Sequence, residues 1–314
     1  TFSHMWNTVT WIYNGIGILL LFQFIQCKYS DYNSLVDRKL FWRLGCHKYI
    51  VTVGLMLLIT LLLVEVFLPE VSPLQNEMDR IHFGRYLGIL VAFSISVIWM
   101  IYLRKVDIFE PERWIHILIV FVMGSITTFA VFPISRFIKS LGFSLNGQLV
   151  NDFIYCIVGI GMVEELVKMI PFLIIIQFKK IVNEPFDFIL NAAVSALGFA
   201  FIENSLYIKK SGFYAINGRA LLSTVAHMTF SSVIGYSFMI ASCRRPGKHC
   251  YYILGGFLLA SLMHGLYDFW LINPIAKKLN GLSLIFFILT THFWFTLKNK
   301  AIKASFFYDE SRNL

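Results

Sequence analysis

Residues 161–169 read GMVEELVKM, which puts two adjacent glutamates, Glu164 and Glu165, and Lys168 inside an apolar run from Phe153 to Phe178. Three later apolar runs hold Glu203 beside Asn204, then His227, then His264 with Asp268. Each charge at the centre of a membrane helix costs about 2.5–3.5 kcal/mol on insertion scales, so a set of this size marks function by default. Two chemistries suit it. Two histidines and a carboxylate are a common zinc trio with an open fourth position for water. In that reading Glu203, His227 and His264 are the ligands, and Glu164 is the base that takes a proton from water. Asp268 follows His264 by four residues on the same helical face, placed to accept the second ring N–H and fix the tautomer. Without a metal, a glutamate and a histidine activate water directly, and the other histidine and Asn204 stabilise an oxyanion. Both chemistries draw on the same residues.

Each member also has a plainer role. Glu164 and Lys168 are an i,i+4 pair able to neutralise each other, which is compatible with catalysis. Glu203 could snorkel toward the outer surface. The whole set could also serve a proton- or ion-coupled transporter, since intramembrane Glu, His and Asp build relays, although no repeat or paired interrupted segments accompany it.

The elements that must position these residues are membrane helices. The 314-residue chain is 57% apolar and only 14% charged, against about 25% charged for a soluble domain, so an all-α polytopic membrane bundle is expected. Apolar runs at 9–26, 50–68, 85–103, 114–132, 150–178, 186–208, 219–242, 250–272 and 280–297 are each long enough to cross a core of about 30 Å. They predict nine helices. Strand barrels are excluded because the runs are continuously apolar and do not alternate. Seventeen lysines and arginines fall on one side of this topology and nine on the other, which sets the N-terminus outside and the C-terminus in the cytoplasm. The acids and imidazoles of the fifth to eighth helices then lie in the outer half of the bilayer, at depths where they can meet.

The net charge of +9 is accounted for by this loop asymmetry, so nucleic acid is not an expected partner. Cys27, Cys46, Cys156, Cys243 and Cys250 form no C-x-x-C pair and no framework. Residues 1–4 resemble a cloning scar before Met5, 5–103 supply the first three helices, 104–298 the catalytic-type bundle of helices four to nine, and 299–314 a cytoplasmic tail. Pro171, which removes the hydrogen bond to the carbonyl of Val167, predicts a kink within a turn of the glutamates. The segment YLRKVDIFEPERWIHIL, residues 102–118, reads as a helix start, with Pro near the first turn and acids complementing the dipole.

Four motifs in order resemble the PrsW family of intramembrane proteases, related to the CAAX-processing protease superfamily. EELVK, Glu164 to Lys168, fits its E-E-x-x-K motif, and FAFIEN, with Phe199, Glu203 and Asn204, fits F-x-x-x-E-N. His227 fits the histidine of the next helix, and HGLYD, His264 to Asp268, fits the closing H-x-x-x-D. YLRKVDIFEPER resembles a cytoplasmic signature of the same family. The resemblance covers residues 102–268 and implies hydrolysis of a peptide bond in a membrane-anchored protein or peptide. Its implied setting is a prokaryotic cytoplasmic membrane, with the lipid bilayer as the other partner.

Overall fold

The computed structural model describes residues 77–107, 109–211, 216–243 and 249–312. The first two expected spans and the scar-like residues 1–4 lie outside the described residues, so the expectation of nine helices extends beyond them. Among the described residues the secondary structure is helical throughout, with no strand. The chain divides into two compact units, one of Thr1–Ile108 and Glu203–Ser223, the other of Phe109–Ile202 and Thr224–Leu314.

In the first unit, α1 (Glu77–Val106) extends the expected third span by several residues at its start and ends on Arg104 and Lys105. These two cations complement the negative end of the helix dipole. Trp99 and Tyr102 are buried and meet edge to face at 5.5 Å.

The second unit begins with α2 (Trp114–Thr127), a 3-10 turn (Thr128–Ala130) and α3 (Val131–Ser140). The turn has two local causes. Pro133 cannot donate to the Phe129 carbonyl and crowds it. The Thr127 and Thr128 hydroxyls also back-bond to Gly124 O, at 3.2 and 2.9 Å. The fourth run is therefore one helical path, Trp114–Ser140, with a break in it.

The fifth run becomes a three-part rod: α4 (Leu149–Ile154), a π-helical segment (Tyr155–Met162) and α5 (Val163–Ile175). Pro171 sits inside α5, and the irregular part lies on the other side of the glutamates, in the π segment. Next come α6 (Pro185–Ser211), α7 (Ile216–Cys243) and α8 (His249–Ile272). Pro185 opens α6 at the position where its missing N–H costs nothing. Asp187 reaches back to the backbone N–H of Asn183 and Glu184 at 2.9 Å each, in the manner of a capping box. The boundary between the units runs through α6 and α7, after Ile202 and after Ser223.

A 3-10 turn (Ala276–Leu279) leads into α9 (Asn280–Arg312). α9 continues through the residues expected to form a tail, because 298–312 contain no Pro or Gly and are rich in helix formers. It also fastens two neighbours: Trp294 Nε1–H donates to Ser232 Oγ at 3.0 Å, and Ser305 Oγ accepts from the backbone N–H of Phe186 at 3.0 Å. Among the described residues, five helical paths are long and apolar enough to cross a membrane: Gly88–Val106, Trp114–Ser140, Pro185–Lys210, Leu222–Ser242 and His249–Ile272. The rod that carries the glutamates is not one of the five; Glu164, Glu165 and Lys168 place three charged side chains within about one turn of it.

Candidate active site

The rod and α8 cross with almost no side chain between them. A Cβ on Gly161 would stand 2.5 Å from the Ser261 carbonyl oxygen and 2.9 Å from Gly265 N. One on Gly265 would collide with the Ile157 backbone. Only hydrogen at both positions allows this approach, which brings the first turn of α5 beside the turn of α8 that carries His264. The π segment ends two residues before Glu164, and wide turns of this kind recur next to functional side chains.

Lys168 lies at the centre of the cluster, buried at 1% exposure. Its ammonium is 2.7 Å from Glu165 Oε1, 2.7 Å from His227 Nδ1 and 3.8 Å from Glu164 Oε2. It also lies over the Phe199 ring, 4.5 Å from the centroid, a cation–π contact. Its own carbonyl accepts from Ser195 Oγ at 2.7 Å, which ties α5 to α6. Because the ammonium donates to His227 Nδ1, the proton of a neutral His227 ring is on Nε2.

Glu165 is fully buried and fully engaged. Oε1 accepts from Lys168 and from His264 Nδ1–H at 2.8 Å, and Oε2 accepts from Ser231 Oγ at 2.7 Å. Three donors on one carboxylate in a site closed to water fix its orientation. With Nδ1 committed to Glu165, the other nitrogen of His264 faces Glu164 Oε2 and Asp268 Oδ2, each at 3.5 Å. The two imidazoles meet edge to face at 4.9 Å, and Phe230 stacks on His264 at 5.3 Å. Glu165 and Lys168 have side chains closed to solvent, whereas those of Glu164 and Asp268 are 10% and 14% exposed. The cluster is accordingly open at the Glu164–Asp268 edge, where His264 Nε2 points.

The residues singled out in the sequence fall into two groups. Glu164, Glu165, Lys168, His227, His264 and Asp268 come together in the second unit. Glu203 and Asn204 are on the part of α6 that belongs to the first unit, Glu203 half-buried and Asn204 buried. Among the described residues, the donor atoms of Glu164, His227 and His264 lie within 4.8 Å of one another, so the carboxylate beside the two imidazoles is Glu164. Asp268 is within reach of His264, as the i,i+4 spacing requires, but on the Nε2 side; the partner of the Nδ1 proton is Glu165. Sequence reading missed Ser231. Its position one turn after His227, on the same face of α7, was the available signal.

By residue type this donor set suits a divalent metal, once His227 gives up either its contact with the Lys168 ammonium or its Nε2 proton to offer a lone pair. Two imidazoles and one carboxylate leave one tetrahedral position open. The 3.5 Å between His264 Nε2 and Glu164 Oε2 is close to the roughly 3.3 Å edge of a tetrahedron with bonds of about 2.0 Å. A carboxylate on the far ring nitrogen is the usual support of a metal-bound histidine.

Residues 112–295 match the family described as PrsW family intramembrane metalloprotease. The chain is 31% identical over 214 residues to "Protease PrsW" of Geobacillus kaustophilus, an alignment covering 68% of this chain and 89% of that protein. It is 29% identical over 188 residues to "Protease PrsW" of Clostridioides difficile, covering 57% of this chain and 77% of the relative. It is 25% identical over 214 residues to "Protease PrsW" of Bacillus subtilis, covering 68% and 93%. No solved structure matches the chain.

Proposed function

Given that the chain belongs to the PrsW family of intramembrane metalloproteases, and is a multi-pass membrane protein and a hydrolase, we propose that it cuts a membrane-anchored substrate in or near its transmembrane segment. The reaction centre in this proposal is the cluster of Glu164, His227 and His264. The observation that carries it is the orientation of His264: Nδ1–H is held by the saturated carboxylate of Glu165, and Nε2 faces Glu164 Oε2 at the open edge. The transport alternative has no support from the relatives, which are named as proteases.

In this reading Glu164, His227 and His264 would hold a zinc ion. When bound there, zinc would supply a water of lowered pKa, near 7, and would polarise the scissile carbonyl. Glu164 in this reading takes the ligand position that the sequence reading gave to Glu203. Asp268, at the open edge, is placed to take a proton from incoming water and return it to the leaving amine. In this reading Glu165 orients His264, its own orientation fixed by three donors. Lys168 compensates the charge of Glu165, and Phe199 and Phe230 exclude lipid and bulk water from the imidazoles.

A second reading is favoured by one specific contact. The Lys168 ammonium already stands 2.7 Å from His227 and 3.8 Å from Glu164, where a fixed positive charge stabilises an oxyanion without metal. Glu164 then takes the proton of water directly. Both readings predict that purified protein in liposomes cleaves single-span peptides and that Glu164→Gln does not. Loss of cleavage on chelation with recovery on adding zinc supports the metal; cleavage that persists through chelation supports the Lys168 reading. Cleavage unaffected by Glu164→Gln would remove the centre from both.

With the N-terminus outside and nine spans, the centre lies in the outer half of the bilayer and the cut falls toward the extracytoplasmic end of the substrate's span. Cysteine labelling from each side tests the orientation.

A further inference from the structure

Asp152, on α4 twelve residues before Glu164, is 1% exposed and accepts hydrogen bonds from four groups. Oδ1 accepts from Asn146 N at 2.9 Å, and Gly147 N donates to both oxygens at 3.3 and 3.1 Å. Asn151 Nδ2 lies 3.3 Å from Oδ1. The fourth donor comes from another helix: Asn273 Nδ2, immediately after the end of α8, reaches Oδ2 at 2.9 Å. Asn273 is fully buried and uses both ends of its amide. Its Oδ1 accepts from Ile275 N and Ala276 N at 2.9 and 3.0 Å, which caps the turn into α9. A single buried pair thus joins the start of the glutamate rod, the loop before it and the end of the histidine helix.

What lies between this pair and the reaction centre gives it a use. On the rod the intervening element is the π segment Tyr155–Met162. Such a segment closes its hydrogen bonds from i to i+5 in place of i to i+4, so rewinding it as α-helix would change the rotational phase of everything beyond it relative to Asp152. Glu164 and Glu165 follow one residue past its end. The Gly161–Gly265 crossing holds the far end of the segment, and the Asp152–Asn273 contact holds the near end. We infer that Asp152 and Asn273 are a positioning pair for catalysis: by pinning the rod to α8 ahead of the π segment they keep Glu165 in register with His264 Nδ1. The inference rests on the hydrolytic reading of the centre.

Asn273→Asp, Asp152→Asn and the two combined provide the test. In Asn273→Asp the side chain still accepts from Ile275 N and Ala276 N, so the cap survives while two carboxylates face each other between the helices. In Asp152→Asn the side chain still accepts from the loop amides and gains an N–H donor. Combining the two lets that new amide donate to the carboxylate introduced at position 273, which remakes the contact with reversed polarity. Asn273→Asp is expected to lower kcat about 10- to 100-fold, the scale of an ångström-sized misplacement, with KM within about twofold. The double variant is expected to return to within about threefold of the parent. In protein carrying 15N-labelled histidine, the His264 Nδ1 resonance, assigned with His264→Gln, is expected to move in Asn273→Asp and return in the double variant. Unchanged kcat and an unmoved His264 resonance in Asn273→Asp would overturn the inference, as would a double variant no better than Asn273→Asp. If the parent protein cleaves nothing, the hydrolytic reading fails, and the resonance alone still decides whether the pair sets the register of His264.

Discussion

Gly161→Ala puts a methyl carbon 2.5 Å from the Ser261 carbonyl oxygen and 2.9 Å from Gly265 N. Both neighbours are backbone of α8, so neither yields by changing a rotamer. Bringing the methyl to the shortest tolerated approach, about 3.0 Å, needs the rod and α8 to separate by roughly 0.5 Å, and ordinary van der Waals contact needs roughly 0.9 Å. The next contact along the crossing is His264 Nδ1 to Glu165 Oε1 at 2.8 Å. The same displacement stretches it to about 3.3–3.7 Å, at or past the limit of a hydrogen bond. Misplacement on this scale costs about 100-fold where catalysis depends on positioning, so kcat is expected to fall about 10- to 100-fold. Gly255 lies on α8 as well, with nothing within 4 Å of a methyl added there, and Gly255→Ala serves as the control, expected to keep activity and stability. The assay is cleavage of a single-span peptide in liposomes, alongside thermal unfolding in detergent. Gly161→Ala retaining kcat within about twofold of the parent, in folded protein, would refute the claim that this crossing sets the site.

Lys168→Met removes two of the strongest contacts of a buried carboxylate and an imidazole. It is expected to destabilise the protein by about 3–5 kcal/mol, read as a lowered unfolding temperature, because Glu165 stays buried without its cation. Ser231→Ala deletes one donor to the same carboxylate and is expected to cost about 1–3 kcal/mol, with a smaller loss of activity than Lys168→Met. Trp294→Phe keeps most of the packing and loses the bond to Ser232 Oγ; about 0.5–1.5 kcal/mol of stability and little activity should go with it. Glu164→Gln keeps shape and removes charge, and its kcat is expected to fall at least about 100-fold with the fold intact.

The helices were legible because continuous apolar runs of membrane-spanning length leave few other structures. Their ends were less so: hydropathy reports where a chain leaves the apolar layer, and α9 carries on as helix well past that point. The meeting of Glu164, Lys168, His227 and His264 was legible from charge inside apolar helices, whose cost demands a return. The division of labour between the two glutamates was not. Adjacent residues on a helix point about 100° apart, and which one faces His264 Nδ1 depends on the rotational phase left by the π segment. Sequence marks that segment only with two glycines, Gly159 and Gly161. The Asp152–Asn273 pair joins residues 121 positions apart with no periodicity between them, so it became visible only once the helices were folded together.

The most direct test of a water-using centre built on Glu164 is cleavage of a single-span peptide by purified protein in water enriched in oxygen-18, with the product carboxylate read by mass spectrometry. The parent is expected to place one heavy oxygen in the new carboxylate at each cut, while Glu164→Gln yields no product. Product formed by Glu164→Gln at the parent rate, or product from the parent without the heavy oxygen, would contradict it.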